Sequence, residues 1–180
     1  MYLITVYFDE QSNKTIQRYM NRVAEYTGNH FMIDNTVPPH LTVLSFQAND
    51  QQDVINRLKK SINSLFTGSI YYVSLGVFLP YVLYITPVLN NYLMDISFYL
   101  HKELKNIENI NFNHFYLPNS WLPHTTIGKK LDEKQTIKAF EVLQKEFQPF
   151  QAKVIRLALS KTNPYEDIIS FDLKDKIYED

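Results

Sequence analysis

The chain has 180 residues, 45% of them hydrophobic, a formal net charge of −1 and no cysteine. That length and apolar content suffice to bury one core or two closely packed lobes, and they exclude a disordered chain. A near-neutral surface without a long Lys/Arg run excludes coating of nucleic acid through many phosphate contacts, and the missing thiol excludes disulfides, thiolate metal sites and a cysteine nucleophile.

Tyr2 to Phe8 is rich in β-branched and aromatic residues and predicts a strand. Asp9 to Ser12 then supplies capping chemistry for a helix with Ile16, Met20, Val23 and Thr27 on one face, ending at Gly28. The N-terminal apolar run has no basic leader and meets Asp9 and Glu10 at once, unlike a signal peptide, and no stretch is long enough to span a bilayer; a soluble cytoplasmic protein is expected. A strand over His40 to Phe46, a helix with Val54, Leu58, Ile62 and Leu65 inward, and a strand over Ser69 to Phe78 complete the first half.

The same order then recurs. A strand over Val82 to Val88 precedes a helix with Leu93, Ile96, Leu100, Leu104 and Ile107 on one face. The long loop from Asn109 to Leu122 comes next, and then a strand beginning at His124. A helix with Ile137, Phe140, Leu143 and Phe147 inward leads to a strand over Ala152 to Ser160. A turn at Asn163 and Pro164 closes a hairpin with a last strand, Ile168 to Leu173. The chain reads as one domain over residues 1–180, built from two repeated lobes at about 1–80 and 81–180 that can exchange strands.

Each half holds the same short string at the same place: Pro39-His40-Leu41-Thr42-Val43, and 84 positions later Pro123-His124-Thr125-Thr126-Ile127. Alternation along a strand aims His and the second following Thr at one face. If the halves are related by an approximate two-fold axis, two imidazoles and two hydroxyls converge on one small anion. One neutral imidazole then removes a proton, one protonated imidazole supplies one, and the Thr hydroxyls donate to the oxygens of a phosphodiester under attack, without a metal. A lone His-x-Thr carries little information; the second copy at the matching place carries the signal.

These paired motifs, and the run Ser120 to Lys129 reading SWLPHTTIGK, resemble the two-histidine (2H) phosphoesterase superfamily, in particular its 2′-5′ RNA ligase and cyclic phosphodiesterase branch. The resemblance implies an α+β, bilobal, pseudo-two-fold duplicated fold in which two antiparallel sheets line a central groove with helices outside. It also implies chemistry on 2′,3′-cyclic phosphates or 2′-5′ bonds of RNA ends or small nucleotides, including reverse 2′-5′ ligation. His40 and His124 carry over as acid and base, in either order, and Thr42 and Thr126 as phosphate binders. No metal or cofactor is implied, and a monomer is expected. The alternative is a non-catalytic module that holds a nucleotide or RNA end in the same groove.

Four further residues are candidates for substrate contact. The resemblance also implies a basic residue shortly after the second motif, for which alternation favours Lys130 and motif spacing Lys129. Alternation also places Phe46 on the face of His40 and Thr42, either to stack on a base or to pack in the core. Trp121 either walls the groove or anchors the core. His30, His101 and His114 lack a Thr partner and read as structural or solvated, and no zinc-type spacing joins them to the motif histidines.

Overall fold

The computed structural model describes residues 1–79, 82–162 and 164–176. β1 (Tyr2–Phe8) is buried at almost every position because it is flanked on both edges. Asp9 accepts the Ser12 N–H at 3.0 Å and so caps α1 (Glu10–Thr27). Gly28, at φ +70°, ends the helix in a conformation that a residue without a side chain adopts at no steric cost. α2 (Phe31–Asp34), β2 (Leu41–Gln47), α3 (Gln51–Ser61) and β3 (Gly68–Phe78) come next. The second half contributes β4 (Val82–Pro87), α4 (Asn91–Leu104), β5 (Asn111–Phe112), β6 (Thr125–Lys129), α5 (Glu133–Glu146), β7 (Phe150–Lys161) and β8 (Glu166–Asp172).

All strand pairs are antiparallel, in the order β5-β2-β1-β7-β3-β4-β6 with β8 also on β7. Val154 pairs with both Phe8 and Gly68, and Lys161 with both Tyr2 and Glu166. β1 therefore occupies one edge of β7, while β3 and β8 share the other. All eight strands thus form one hydrogen-bonded sheet that branches at β7, in an α+β architecture. Among the described residues, β3, which precedes residue 81, pairs only with β4 and β7, which follow it.

The core runs along the sheet, with α1 over β1 and β7 and α4 over β2 and β3. α5 departs from the expected face. Ala139 and Leu143 are buried, whereas Ile137 and Phe140 are 54% and 39% exposed. Its main neighbour is α1, and a helix resting on another helix buries a narrower stripe than one lying on a sheet. The loop expected from Asn109 to Leu122 contains β5 and a 3-10 turn at His114–Tyr116, because Phe112 and Asn111 extend the β2 ladder. Of the turn expected at Asn163 and Pro164, Asn163 lies outside the described residues. No helix among the described residues is long and apolar enough to cross a membrane.

Candidate active site

A cavity of about 620 Å³ opens between the two His-bearing strands, and His40, Thr42, His124 and Thr126 all line it. Each histidine stands one residue before its strand, where the chain has left the loop but the ladder has not begun. There each ring is anchored identically. His40 Nδ1 lies 2.8 Å from the Pro38 carbonyl and His124 Nδ1 2.9 Å from the Leu122 carbonyl. A carbonyl only accepts, so Nδ1 carries the proton in the neutral ring and Nε2 keeps its lone pair.

Beyond each motif, a β-bulge sets the course of the strand. Consecutive residues Ile4 and Thr5 of β1 pair with Leu44 and Thr42, leaving Val43 as the extra residue of β2. Consecutive Leu83 and Tyr84 of β4 pair with Gly128 and Thr126, leaving Ile127 as the extra residue of β6. The two bulges are 84 positions apart, like the histidines, and each shifts the alternation by one. The cavity is therefore lined by His40, Thr42 and Ser45 on one strand and by His124, Thr126 and Lys129 on the other.

This shift decides where the other candidates stand. Phe46 does not line the cavity: it is 1% exposed and packs against Tyr2 and Phe112, with ring centroids at 5.9 and 5.7 Å. Lys129 reaches the cavity through the bulge, and Lys130, just past the strand at φ +56°, reaches it through the turn. Both ammonium groups lie over the Phe31 ring, at 6.0 and 4.5 Å. Trp121 is 7% exposed and belongs to the core, not the cavity wall. His30, His101 and His114 are not among the cavity residues.

The residues that surround the two rings carry no motif. Tyr165 stacks on His40 at 4.7 Å and 27°, with Tyr7 at its edge. The Tyr7 hydroxyl meets that of Tyr165 at 2.7 Å and donates to Asp167 Oδ1 at 2.6 Å; Ser160 Oγ donates to the same oxygen at 2.7 Å. Burial, then the neighbouring Tyr165 and Asp167, hold the Tyr7 hydroxyl far above the usual phenol range, so it remains a donor. Around His124 the neighbours are Phe78, Tyr84 and Tyr116, with ring centroids at 4.8, 5.3 and 6.3 Å. The buried Thr125, between the two motif residues, bonds through its hydroxyl to that of Tyr72 on β3.

Both imidazoles are held toward the neutral form. Burial pushes His40 down to about 4; the Pro38 carbonyl and the Asp167 carboxylate oppose that shift, while His124 and Lys129 add to it. Burial also lowers His124, against the Leu122 carbonyl. Among the described residues, no three His, Cys, Asp or Glu side chains gather as a set of metal ligands.

The family model described as the 2′-5′ RNA ligase superfamily matches residues 8–166. No curated protein sequence matches. The fold is similar to that of TT0787 of Thermus thermophilus, at 13% identity and a TM-score of 0.62 over 98% of this chain and 99% of that one. It is also similar to a protein solved as a phosphoesterase, at 12% identity and a TM-score of 0.60 over 97% and 98% of the two chains. Escherichia coli LigT, solved with ATP, is 14% identical with a TM-score of 0.58 over 97% of each chain. With nearly the whole chain matched and two histidine–threonine pairs facing one cavity, this protein belongs to the 2′-5′ RNA ligase superfamily of two-histidine phosphoesterases.

Proposed function

We propose that the chain is a metal-independent phosphodiesterase acting on 2′,3′-cyclic phosphates or 2′-5′ phosphodiester bonds of RNA ends or nucleotides, with 2′-5′ joining as the reverse reaction. The observation that carries this reading is the pair of imidazoles anchored alike through Nδ1, so that two Nε2 atoms and two Thr hydroxyls serve one cavity. In hydrolysis of a cyclic phosphate, His40 Nε2 takes a proton from water as its oxygen attacks phosphorus. His124 Nε2 gives a proton to the departing ribose 3′-oxygen, leaving a 2′-phosphate. His40 suits the base because it stays neutral down to about pH 4. His124 suits the acid because the entering phosphate anion favours its protonated form. Thr42 and Thr126 donate to the non-bridging oxygens, and Lys129 and Lys130 add positive charge at the mouth. LigT structures solved with 3′-AMP and with phosphate support a nucleotide ligand for this fold.

The test is turnover of 2′,3′-cyclic mononucleotides and 2′-5′-linked dinucleotides in EDTA. Wild type is expected to turn over at least one class, and His40→Ala and His124→Ala each to lose about 10²–10⁴-fold. Activity that disappears with EDTA and returns with a divalent ion would sink the metal-free mechanism. Nucleotide binding without turnover would put a binding module in its place.

A further inference from the structure

Five buried side-chain atoms lack a hydrogen-bond partner among the described residues: Asn13 Oδ1, Ser45 Oγ, Ser97 Oγ, Trp121 Nε1 and Arg156 Nε. A buried polar atom left in this state costs free energy and is retained where something else satisfies it. Of the five residues, Asn13 lines a separate surface groove with Lys14 and Arg18, and Ser45 alone lines the catalytic cavity, where it is 1% exposed.

Ser45 is also the counterpart of Lys129, each at the fifth position after its histidine and each brought inward by a bulge. The cavity thus has two unlike arms. One is cationic, with Lys129 and Lys130 over Phe31. The other carries no charged side chain. There the Asn113 N–H donates to the Ser45 carbonyl at 2.8 Å, which fixes Asn113 beside β2, and Asn113 Oδ1 accepts the Phe115 N–H at 3.1 Å. With Oδ1 committed, the remaining donors of the Asn113 amide sit on Nδ2. Tyr116, whose N–H bonds the Asn113 carbonyl at 2.9 Å, brings an aromatic ring to the same cavity.

Two strand steps separate Ser45 from Thr42 once the bulge is counted out, which is ~7 Å. A phosphate held at the His–Thr centre fills the anionic position, and the cavity along β2 from it leaves room for the uncharged body of a nucleotide. We infer that Ser45 and Asn113, with Tyr116, form a nucleobase subsite whose hydroxyl and amide donors meet acceptors on the base edge. The inference rests on the proposed phosphodiesterase reading, and it makes the neutral arm, rather than the lysines, the part of the site that distinguishes one nucleotide from another. An edge with two adjacent acceptors suits these donors, as in cytosine (O2 and N3) or guanine (O6 and N7).

The test is equilibrium binding by calorimetry of the four nucleoside 2′-monophosphates, with inorganic phosphate as the probe of the His–Thr centre. Wild type is expected to bind the cytosine or guanine nucleotide at least about tenfold more tightly than phosphate. Ser45→Ala and Asn113→Ala should each cut that ratio by about three- to tenfold, the range of one lost hydrogen bond. Asn113 lies on a partly exposed segment, so its variant keeps the test decisive if S45A does not fold. Phosphate binding with no gain from any base overturns the subsite and leaves the phosphodiesterase reading standing. Equal losses for phosphate and nucleotide in the variants also overturn it, because Ser45 and Asn113 would then serve the phosphate. If phosphate itself does not bind, the catalytic reading fails and the subsite with it.

Discussion

The two imidazoles share an anchor but not an environment, and on the proposed mechanism, with His40 as base and His124 as acid, the pH dependence comes from the difference. A base must be neutral, so kcat/KM falls as pH drops through the His40 value of about 4. An acid must be protonated, so it falls again as pH rises through the His124 value, which burial holds below the ordinary 6.5. The expected profile is a bell with its maximum on the acidic side of neutrality; a plateau from pH 5 to 9 would contradict it. The neighbours of His40 tune one limb in opposite directions. Asp167→Asn removes a negative charge that raises His40 and keeps an oxygen for Tyr7, so the acidic limb moves to lower pH. Lys129→Met removes a positive charge that lowers His40, so the same limb moves to higher pH. Two profiles that shift together would separate these charges from His40. The histidines and threonines were legible in the sequence because identity and spacing repeat at the same offset. Tyr165, Tyr7 and Asp167 were not, because they reach His40 from β1 and the β8 hairpin, and no local pattern marks a contact between distant strands.

At the level of the element, period-two alternation holds up to the second motif residue and fails immediately after it. A bulge adds a residue without changing the hydrophobic pattern, so alternation puts Phe46 on the face of His40 and Thr42 when Ser45 is the residue that lines the cavity. Spacing from the histidine, which already includes the bulge, led to Lys129 where alternation led to Lys130. α5 shows the same limit in a helix: the apolar periodicity was legible, but the choice of Ala139 and Leu143 as the buried stripe depends on which neighbour the helix meets. A glycine on β3 links element geometry to the site. A Cβ at Gly76 would collide with the Tyr84 ring, which packs between Phe78 and His124. Gly76→Ala should therefore displace Tyr84 and tilt His124, lowering kcat/KM by about 10²-fold, the scale of a small misplacement of a catalytic group. Overpacking of this kind destabilises by about 1–3 kcal/mol. The double variant Gly76→Ala/Tyr84→Ala removes the collision, so by thermal denaturation its loss of stability should fall short of the sum of the two single-variant losses. If G76A turns over at the wild-type rate, Tyr84 does not govern the position of His124.

For the whole molecule, the repeat of strand, helix, strand, helix, strand predicted two lobes, yet the order of the strands was not in the repeat. Similar halves can pair within themselves or trade strands, and only the sheet register distinguishes the two. Here the trade is extensive. Among the described residues β3 has no partner in its own half, since both its neighbours, β4 and β7, come from the second. β7 in turn has one partner in its own half, β8, and takes β1 and β3 from the first. A fragment of residues 1–80 would leave β3 unpaired and one edge of β1 open, and a fragment of 81–180 would leave β7 bare along the whole edge that β1 covers. Unpaired buried backbone groups are too costly for either fragment to hold its sheet. Each fragment alone is expected to show no cooperative thermal transition, and mixing the two should restore one, because the missing partners are then present. Activity makes the sharper readout: His40 lies in one fragment and His124 in the other, so turnover can return only with the exchanged sheet. A cooperative transition in either fragment alone would mean that the halves are independent folding units and that the shared strand joins two lobes already formed.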